Sequence, residues 1–181
     1  MLYLNRWQEL AIVVRDLVYK MKKTLQVLNA LIIEGVISDY AIGGAMGATF
    51  YLDPVMTIDL DIFVLSLDKF NLLPLQPIYK ALKAKGYLPD EQEKECVNIE
   101  GVPVLFLPAY NALLEEACQL APINDYAGIK SKVISAEHLV AISLQTGRIK
   151  DKATARGILF FREDFALDER SNNDMSTEIR W

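Results

Sequence analysis

The chain has 181 residues, 52% of them hydrophobic and 24% charged, which suits one well-buried domain rather than two independent cores. A formal net charge of −5 argues against a protein that grips nucleic acid through a general basic surface, since that binding rests on Lys and Arg neutralising phosphates. No apolar run reaches the roughly 20 residues that span a bilayer, and the opening MLYLNRWQEL lacks a signal-peptide pattern. A cytoplasmic protein with no membrane contact is therefore expected.

Residues 6 to 34 read as one long helix or a helical hairpin, because Leu10, Val13, Val14, Leu17, Val18, Met21, Leu25, Leu28 and Ile32 recur at three- and four-residue steps. Asn5 with Gln8 supplies a capped start and Gly35 a stop. Tyr40-Ala41-Ile42 reads as a strand, Gly43-Gly44 as a turn, Ala45 to Phe50 as a short helix, and Ile58 to Leu65 as a buried strand. Asp68 to Pro77 is a loop, Ile78 to Lys85 a helix closed by Gly86, and Asp90 to Glu95 a solvated polar connection. Two apolar runs, Cys96 to Ile99 and Val102 to Leu107, joined by Glu100-Gly101, predict a hairpin. Pro103 belongs near the start of a strand or on an edge.

A helix follows over Ala109 to Ala121, then a loop from Pro122 to Gly128, a short strand over Lys130 to Ile134, and a helix capped by Ser135. Gly147 interrupts it before a last helix, Lys150 to Phe161. The tail from Asp168 is polar. The expected organisation is one domain over 1–167 (helical segment 1–35, sheet core 36–108, helical part 109–167) and a tail over 168–181. Its class is α+β: a small mixed β-sheet flanked by helices, with the helices on one side and a helical C-terminal portion. Cys96 and Cys118 lack metal or redox spacing and read as reduced core residues. The basic runs Lys20, Lys22, Lys23 and Arg148, Lys150, Lys152 read as solvated charges.

The stretch Tyr40 to Leu65 carries the chemistry. On a strand, Asp59 and Asp61 project from one face while Ile58, Leu60 and Ile62 point to the other. Two carboxylates so close repel, and a hard divalent cation such as Mg2+ resolves the repulsion while bridging phosphate oxygens. The Gly43-Gly44 turn lets the backbone approach a ligand, and N–H groups at the start of the following helix can hold an anion. A Mg-nucleotide site is the sharp expectation. Thr57 either orients a loop or phosphate, or bonds its own backbone.

These motifs resemble a known family. The Gly-Gly turn, a helix, Asp53-Pro54-x-x-Thr57 and the Asp59-Leu60-Asp61 strand are similar to the signature of the DNA-polymerase-beta-like nucleotidyltransferase superfamily, in particular its minimal AbiEii-toxin-like bacterial members. Ala136 to Ile142 with Thr146 to Asp151 resembles the helical region of the same group.

The resemblance implies a nucleotidyltransferase-like fold and transfer of a nucleoside monophosphate from an NTP, with Mg2+ or Mn2+ as cofactor. Gly43 and Gly44 would hold the triphosphate together with Thr57, and Asp59 and Asp61 would be catalytic metal ligands. The acceptor, whether RNA, protein or small molecule, is open. An antitoxin or a second copy of the chain is the implied partner.

The chain departs from the pattern at three places. Val55 stands where many relatives have Arg, Val104 to Leu107 supply no third carboxylate, and Ser143 replaces a frequent basic residue. Glu100 and Asp53 are the nearest substitutes for the missing carboxylate. Two competing readings follow: a nucleotide- or metal-binding sensor or complex subunit without efficient transfer, and an interaction module in which Asp59 and Asp61 pair with buried basic groups. His138 reads as structural first and as a general base second; Arg148 and Asp151 read as a helix-end ion pair, Glu115 and Glu116 as solvent-facing, and Phe50 and Tyr51 as core.

Overall fold

In a computed structural model the chain is described over residues 2–52, 57, 59–67, 73–92, 95–147, 152–153 and 155–159. Asp53, Val55, Arg148, Asp151 and the tail over 168–181 lie outside the described residues. One helix, α1 (Leu2–Ile33), precedes β1 (Asp39–Ile42), the short α2 (Gly44–Ala48), β2 (Leu60–Leu65) and α3 (Gln76–Ala84). Then come β3 (Val97–Ile99), β4 (Val102–Pro108), α4 (Ala112–Gln119), β5 (Ile123–Tyr126), β6 (Ile129–Lys132) and α5 (Ala136–Thr146). Residues 152, 153 and 155–159 are helical as well. None of the described helices is long and apolar enough to cross a membrane.

Four strands make a mixed sheet in the order β1-β2-β4-β3. β2 runs antiparallel to β1 and parallel to β4, with Asp61 opposite Leu105. β4 returns antiparallel to β3 through Glu100-Gly101, both at positive φ, the geometry that tight hairpins favour. Pro103 lies one residue before Val104, where the pairing with β2 begins, so no ladder bond to β2 is missing at its N.

The class expected from sequence, a small mixed sheet flanked by helices, holds. The helices, however, cover both faces. Leu60, Ile62 and Val64 alternate toward α1 and α3, where Met21, Leu25, Leu28, Leu31, Ile78 and Leu82 close one core. Ala41 and Phe63 point the other way, into a second core with Leu114, Cys118, Leu139, Ile142 and Ile158. A strand buried on both faces reads as a continuous apolar run, so periodicity hides the second layer.

Three further differences have local causes. α1 already begins at Leu2, which leaves Asn5 inside the helix rather than at its cap. Among its described side chains, which begin at Ala11, those from 11 to 17 are exposed and those of Met21, Thr24, Leu25, Leu28 and Leu31 are buried. Residues 123–126, expected as loop, form β5 of a two-stranded hairpin turning at Ala127-Gly128; Asn124 and Asp125 carry turn propensity that the pairing with β6 overrides. Asp90, expected in solvated loop, is buried: Oδ1 accepts from the Gln92 N–H and Oδ2 from the Asn98 amide.

Tertiary hydrogen bonds fix the layers. Thr24, fully buried on α1, donates to the carbonyls of Lys20 (3.0 Å) and Ile99 (2.9 Å). Tyr40 Oη lies 2.8 Å from Asn29 Oδ1 and 3.3 Å from Ser131 Oγ, which links α1, β1 and β6. Burial pushes the Tyr40 phenol up to about 12. Lys132 pairs with Asp39 beside the C-terminal carbonyls of α4. Cys96 and Cys118 are buried and not joined in a disulfide, and burial pushes the Cys118 thiol up to about 12.

Candidate active site

β1 ends at Ile42, and Gly43 continues its ladder by one residue, donating its N–H to the carbonyl of Asp61 at 3.0 Å. At Gly44 the backbone turns at φ +56, a left-handed value that side-chain-bearing residues rarely adopt, and α2 begins. A Cβ on Gly44 would overlap Oδ2 of Asp61 and stand 2.6 Å from its Cγ. One on Gly43 would stand 2.5 Å from the Phe63 ring and 3.2 Å from Ile134 Cδ1. Both glycines are thus required by close approach: Gly43 to the core, Gly44 to a carboxylate.

A third glycine belongs to this turn. A Cβ on Gly47, one turn into α2, would stand 3.1 Å from the Ile42 carbonyl, so its absence lets the helix lie on the end of β1. Gly47 was not singled out from the sequence, although the spacing Gly43-Gly44-x-x-Gly47 is the signal that finds it.

Asp59 immediately precedes β2 and Asp61 is its second residue. Leu60 is 0% exposed and packs into the core against α1 and α3, so alternation sends the Asp61 carboxylate to the opposite side, whereas Asp59, expected within the strand, lies in a bend just before it. Both are half-buried. The Thr57 hydroxyl lies 2.9 Å from Asp59 Oδ1 and 3.2 Å from the Asp59 carbonyl. Of the two roles open to Thr57, the geometry displays bonding to Asp59, which restricts the rotation of that carboxylate.

Across the parallel ladder from Asp61 stands Leu105, half-buried on the same face. The strand position nearest the acidic pair is therefore apolar. Glu100 sits in the β3–β4 turn with its carboxylate accepting from the Tyr87 hydroxyl at 2.8 Å. His138 is engaged locally, with Nδ1 2.9 Å from Ser135 Oγ and Nε2 3.8 Å from a carboxylate oxygen of Glu116. It buttresses the capped start of α5. Phe50 borders a cavity of about 20 Å³ with Met21, Ile42 and Met46, room for a water but not for a nucleobase. Tyr51 packs against both cores.

Among the described residues no three or more His, Cys, Asp or Glu side chains gather as a metal cage. A carboxylate pair without a cage suits Mg2+, which binds through one or two carboxylates and keeps waters and substrate phosphates for its other positions. The Gly44–Asp61 contact sets one of the two carboxylates against bare backbone at the start of α2. The residues present fit the ion.

No protein-family profile matches the chain, and no curated protein matches it. Among solved structures it is similar to the antibiotic-resistance factor ANT(2'')-Ia in solution, at 14% identity and a TM-score of 0.47 over 88% of this chain and 96% of that one. The same factor in complex with adenylyl-2''-tobramycin gives 15% identity and a TM-score of 0.45, covering 84% and 98%. An antigenic nucleotidyltransferase-like protein from Paracoccidioides brasiliensis gives 17% and 0.49, covering 77% and 75%. With TM-scores below 0.5, these likenesses assign no activity to this chain, and the site stands on its own geometry.

Proposed function

We propose that the chain is a nucleotidyltransferase that moves a nucleoside monophosphate from Mg2+- or Mn2+-bound NTP to an acceptor hydroxyl or other nucleophile. The observation that supports it best is the packing of Gly44 against Asp61, which makes one site of two motifs that are separate in the sequence. Asp59 and Asp61 are the metal ligands in this reading. They would hold the ion, which would supply charge neutralisation for the phosphoryl oxygens and the leaving pyrophosphate.

The chain's own residues do the positioning. Thr57 holds Asp59 in one rotamer, and the buried flank of β2 fixes Asp61. The bare α-carbon of Gly44 lets the Asp61 carboxylate lie directly against the turn that leads into α2. Gly43 contributes a floor without a side chain; its own N–H is already spent on Asp61. The assignment to AbiEii-toxin-like enzymes, and with it a toxin role beside an antitoxin, rests on the sequence resemblance.

Leu105 opposite Asp61 favours a second reading, a nucleotide-binding sensor of the same fold without efficient transfer. The acceptor nucleophile needs a base, and that strand position offers none. Incubation with each α-labelled NTP, Mg2+ or Mn2+ and cell extract separates the two. Label transfer that disappears in Asp59→Asn and Asp61→Asn supports the enzyme. Magnesium-dependent nucleotide binding without transfer supports the sensor, and absence of both overturns the nucleotide site.

A further inference from the structure

The glycine turn is backed by the start of α5. Ile134, the residue before the Ser135 cap, donates its N–H to the Ile42 carbonyl at 2.9 Å, and its Cδ1 would stand 3.2 Å from a Cβ on Gly43. One turn on, Cδ2 of Leu139 would stand 3.6 Å from a Cβ on Gly47. Ile134 and Leu139 are 0% and 4% exposed, so the turn and the helix start share a packed boundary across which a shift of one is felt by the other.

What fixes that helix start is a cluster outside the glycine and acidic motifs. Ser135 Oγ accepts from the His138 N–H at 3.4 Å and lies 2.9 Å from His138 Nδ1. His138 Nε2 faces the Glu116 carboxylate of α4 at 3.8 Å. A carboxylate on that side favours the tautomer with its proton on Nε2. Nδ1 then accepts from the Ser135 hydroxyl, which turns the lone pairs of the hydroxyl oxygen toward the first N–H groups of α5. The His138 side chain is 18% exposed and that of Glu116 62%, so the carboxylate orients the ring and adds little energy of its own.

From this line of contacts we propose that His138 is a positioning residue for the nucleotide turn. The proposal rests on the nucleotidyl-transfer reading above: His138 acts through the Ser135 cap and Ile134 to keep Gly43 and Gly47 in place at the start of α2. It works through Ser135 and not on the reacting atoms, so nucleotide affinity depends on it and the chemical step does not. The far end of the same helix pair supplies the comparison. Asn111 caps α4, accepting from the Leu114 N–H at 2.9 Å, and its amide lies 3.3 Å from Gln145 Oε1. At about 1.5 Å per residue, Gln145 lies roughly 15 Å along α5 from Ser135, so Asn111 is a like cap remote from the glycines.

Amide hydrogen exchange of the full chain without nucleotide tests the brace first. The N–H groups of Gly43 and Gly47 donate to the carbonyls of Asp61 and Gly43. His138→Ala and Ser135→Ala are expected to speed their exchange about tenfold, the scale of a lost cap, and Asn111→Ala to leave it unmoved. Mg-NTP affinity and turnover come second. Each of the two variants is expected to raise the nucleotide Kd and KM about five- to tenfold with kcat within about twofold, and the double variant to go no further than either alone. His138→Asn, whose Oδ1 takes the place of Nδ1, is expected to restore both readouts, and Asn111→Ala to lower the melting temperature with affinity intact. Exchange at Gly43 and Gly47 that is unchanged in His138→Ala overturns the inference. So does a loss of affinity that Asn111→Ala matches, or a loss that falls on kcat instead of KM. A wild type that binds no Mg-NTP overturns the nucleotide reading, and the exchange measurement still upholds or overturns the brace on its own.

Discussion

Gly44 carries no side chain because the carboxylate of Asp61 occupies the place where one would be. The two residues are 17 positions apart in the chain, and the contact exists because β1 and β2 pair antiparallel with Ile42 opposite Ile62. Gly44→Ala therefore does two things: it forces a Cβ into Asp61 and places a side chain at φ +56. A stability loss of about 1–3 kcal/mol follows from the backbone and overlap costs. Nucleotide binding is expected to fall by more than the stability change accounts for. Thermal melts with and without Mg-NTP check it; an Ala variant that keeps the ligand-induced rise in melting temperature would overturn the role given to Gly44.

Asp59→Asn and Asp61→Asn keep the shape of the site and remove its charge. Each is expected to reduce label transfer by about 1,000-fold or more, on the scale of losing a main electrostatic contributor, while the fold persists. Thr57→Val removes the bond to Asp59 Oδ1 and is expected to cost about tenfold, mostly in kcat, because the carboxylate is still present but less well aimed. Equal losses for Thr57→Val and Asp59→Asn would mean that Thr57 meets substrate itself.

Leu105→Asp places a carboxylate opposite Asp61 on the adjacent parallel strand. If the acceptor lacks a base there, the variant gains transfer, by about tenfold or more given the usual worth of general-base catalysis. Turnover unchanged by the substitution in a correctly folded variant would show that the acceptor is activated from another direction.

Alkaline stability follows from two buried groups. Tyr40 is 2% and Cys118 0% exposed, and burial raises each to about 12 from 10.0 and 9.0 respectively. Both are neutral when protonated, and the folded state holds the proton more tightly than the unfolded chain. Their contribution is therefore complete below pH 9 for Cys118 and below pH 10 for Tyr40, and it is lost as pH rises from there through 12. Denaturation midpoints are expected to be level up to about pH 8.5 and then to fall, with a few kcal/mol at stake. Tyr40→Phe should flatten the part of that slope above pH 10 while costing about 1–2 kcal/mol at neutral pH, since Asn29 and Ser131 lose a partner.

Much of this arrangement was legible in the sequence because it rests on local pattern. The Gly35 stop, the Gly43-Gly44 turn, the strand that carries Asp61, the Glu100-Gly101 hairpin and the Ser135 cap each need only a few neighbouring residues to be recognised. What escaped depends on partners distant in the chain. β5 forms despite its turn-like composition because β6 is there to pair with it. The second helical layer leaves no mark in strands that are apolar on both faces. Periodicity described α1 throughout, yet it could not say that its apolar positions become buried from Met21 onward while Val13, Val14 and Leu17 stay exposed. The placement of Leu105 beside Asp61 came from register, which the sequence does not state.

The parallel pairing of β2 with β4 carries a consequence for how the protein is made. Asp61 and Leu105 are 44 residues apart, and β4 has to enter between β2 and β3 after both earlier strands have left the ribosome. Contacts of that separation form late, because the chain loses its freedom before they repay it. A growing chain thus holds the glycine turn and both carboxylates long before it has the strand that backs them. On the nucleotidyl-transfer reading proposed above, chemistry at the site is expected to wait until the sheet has closed.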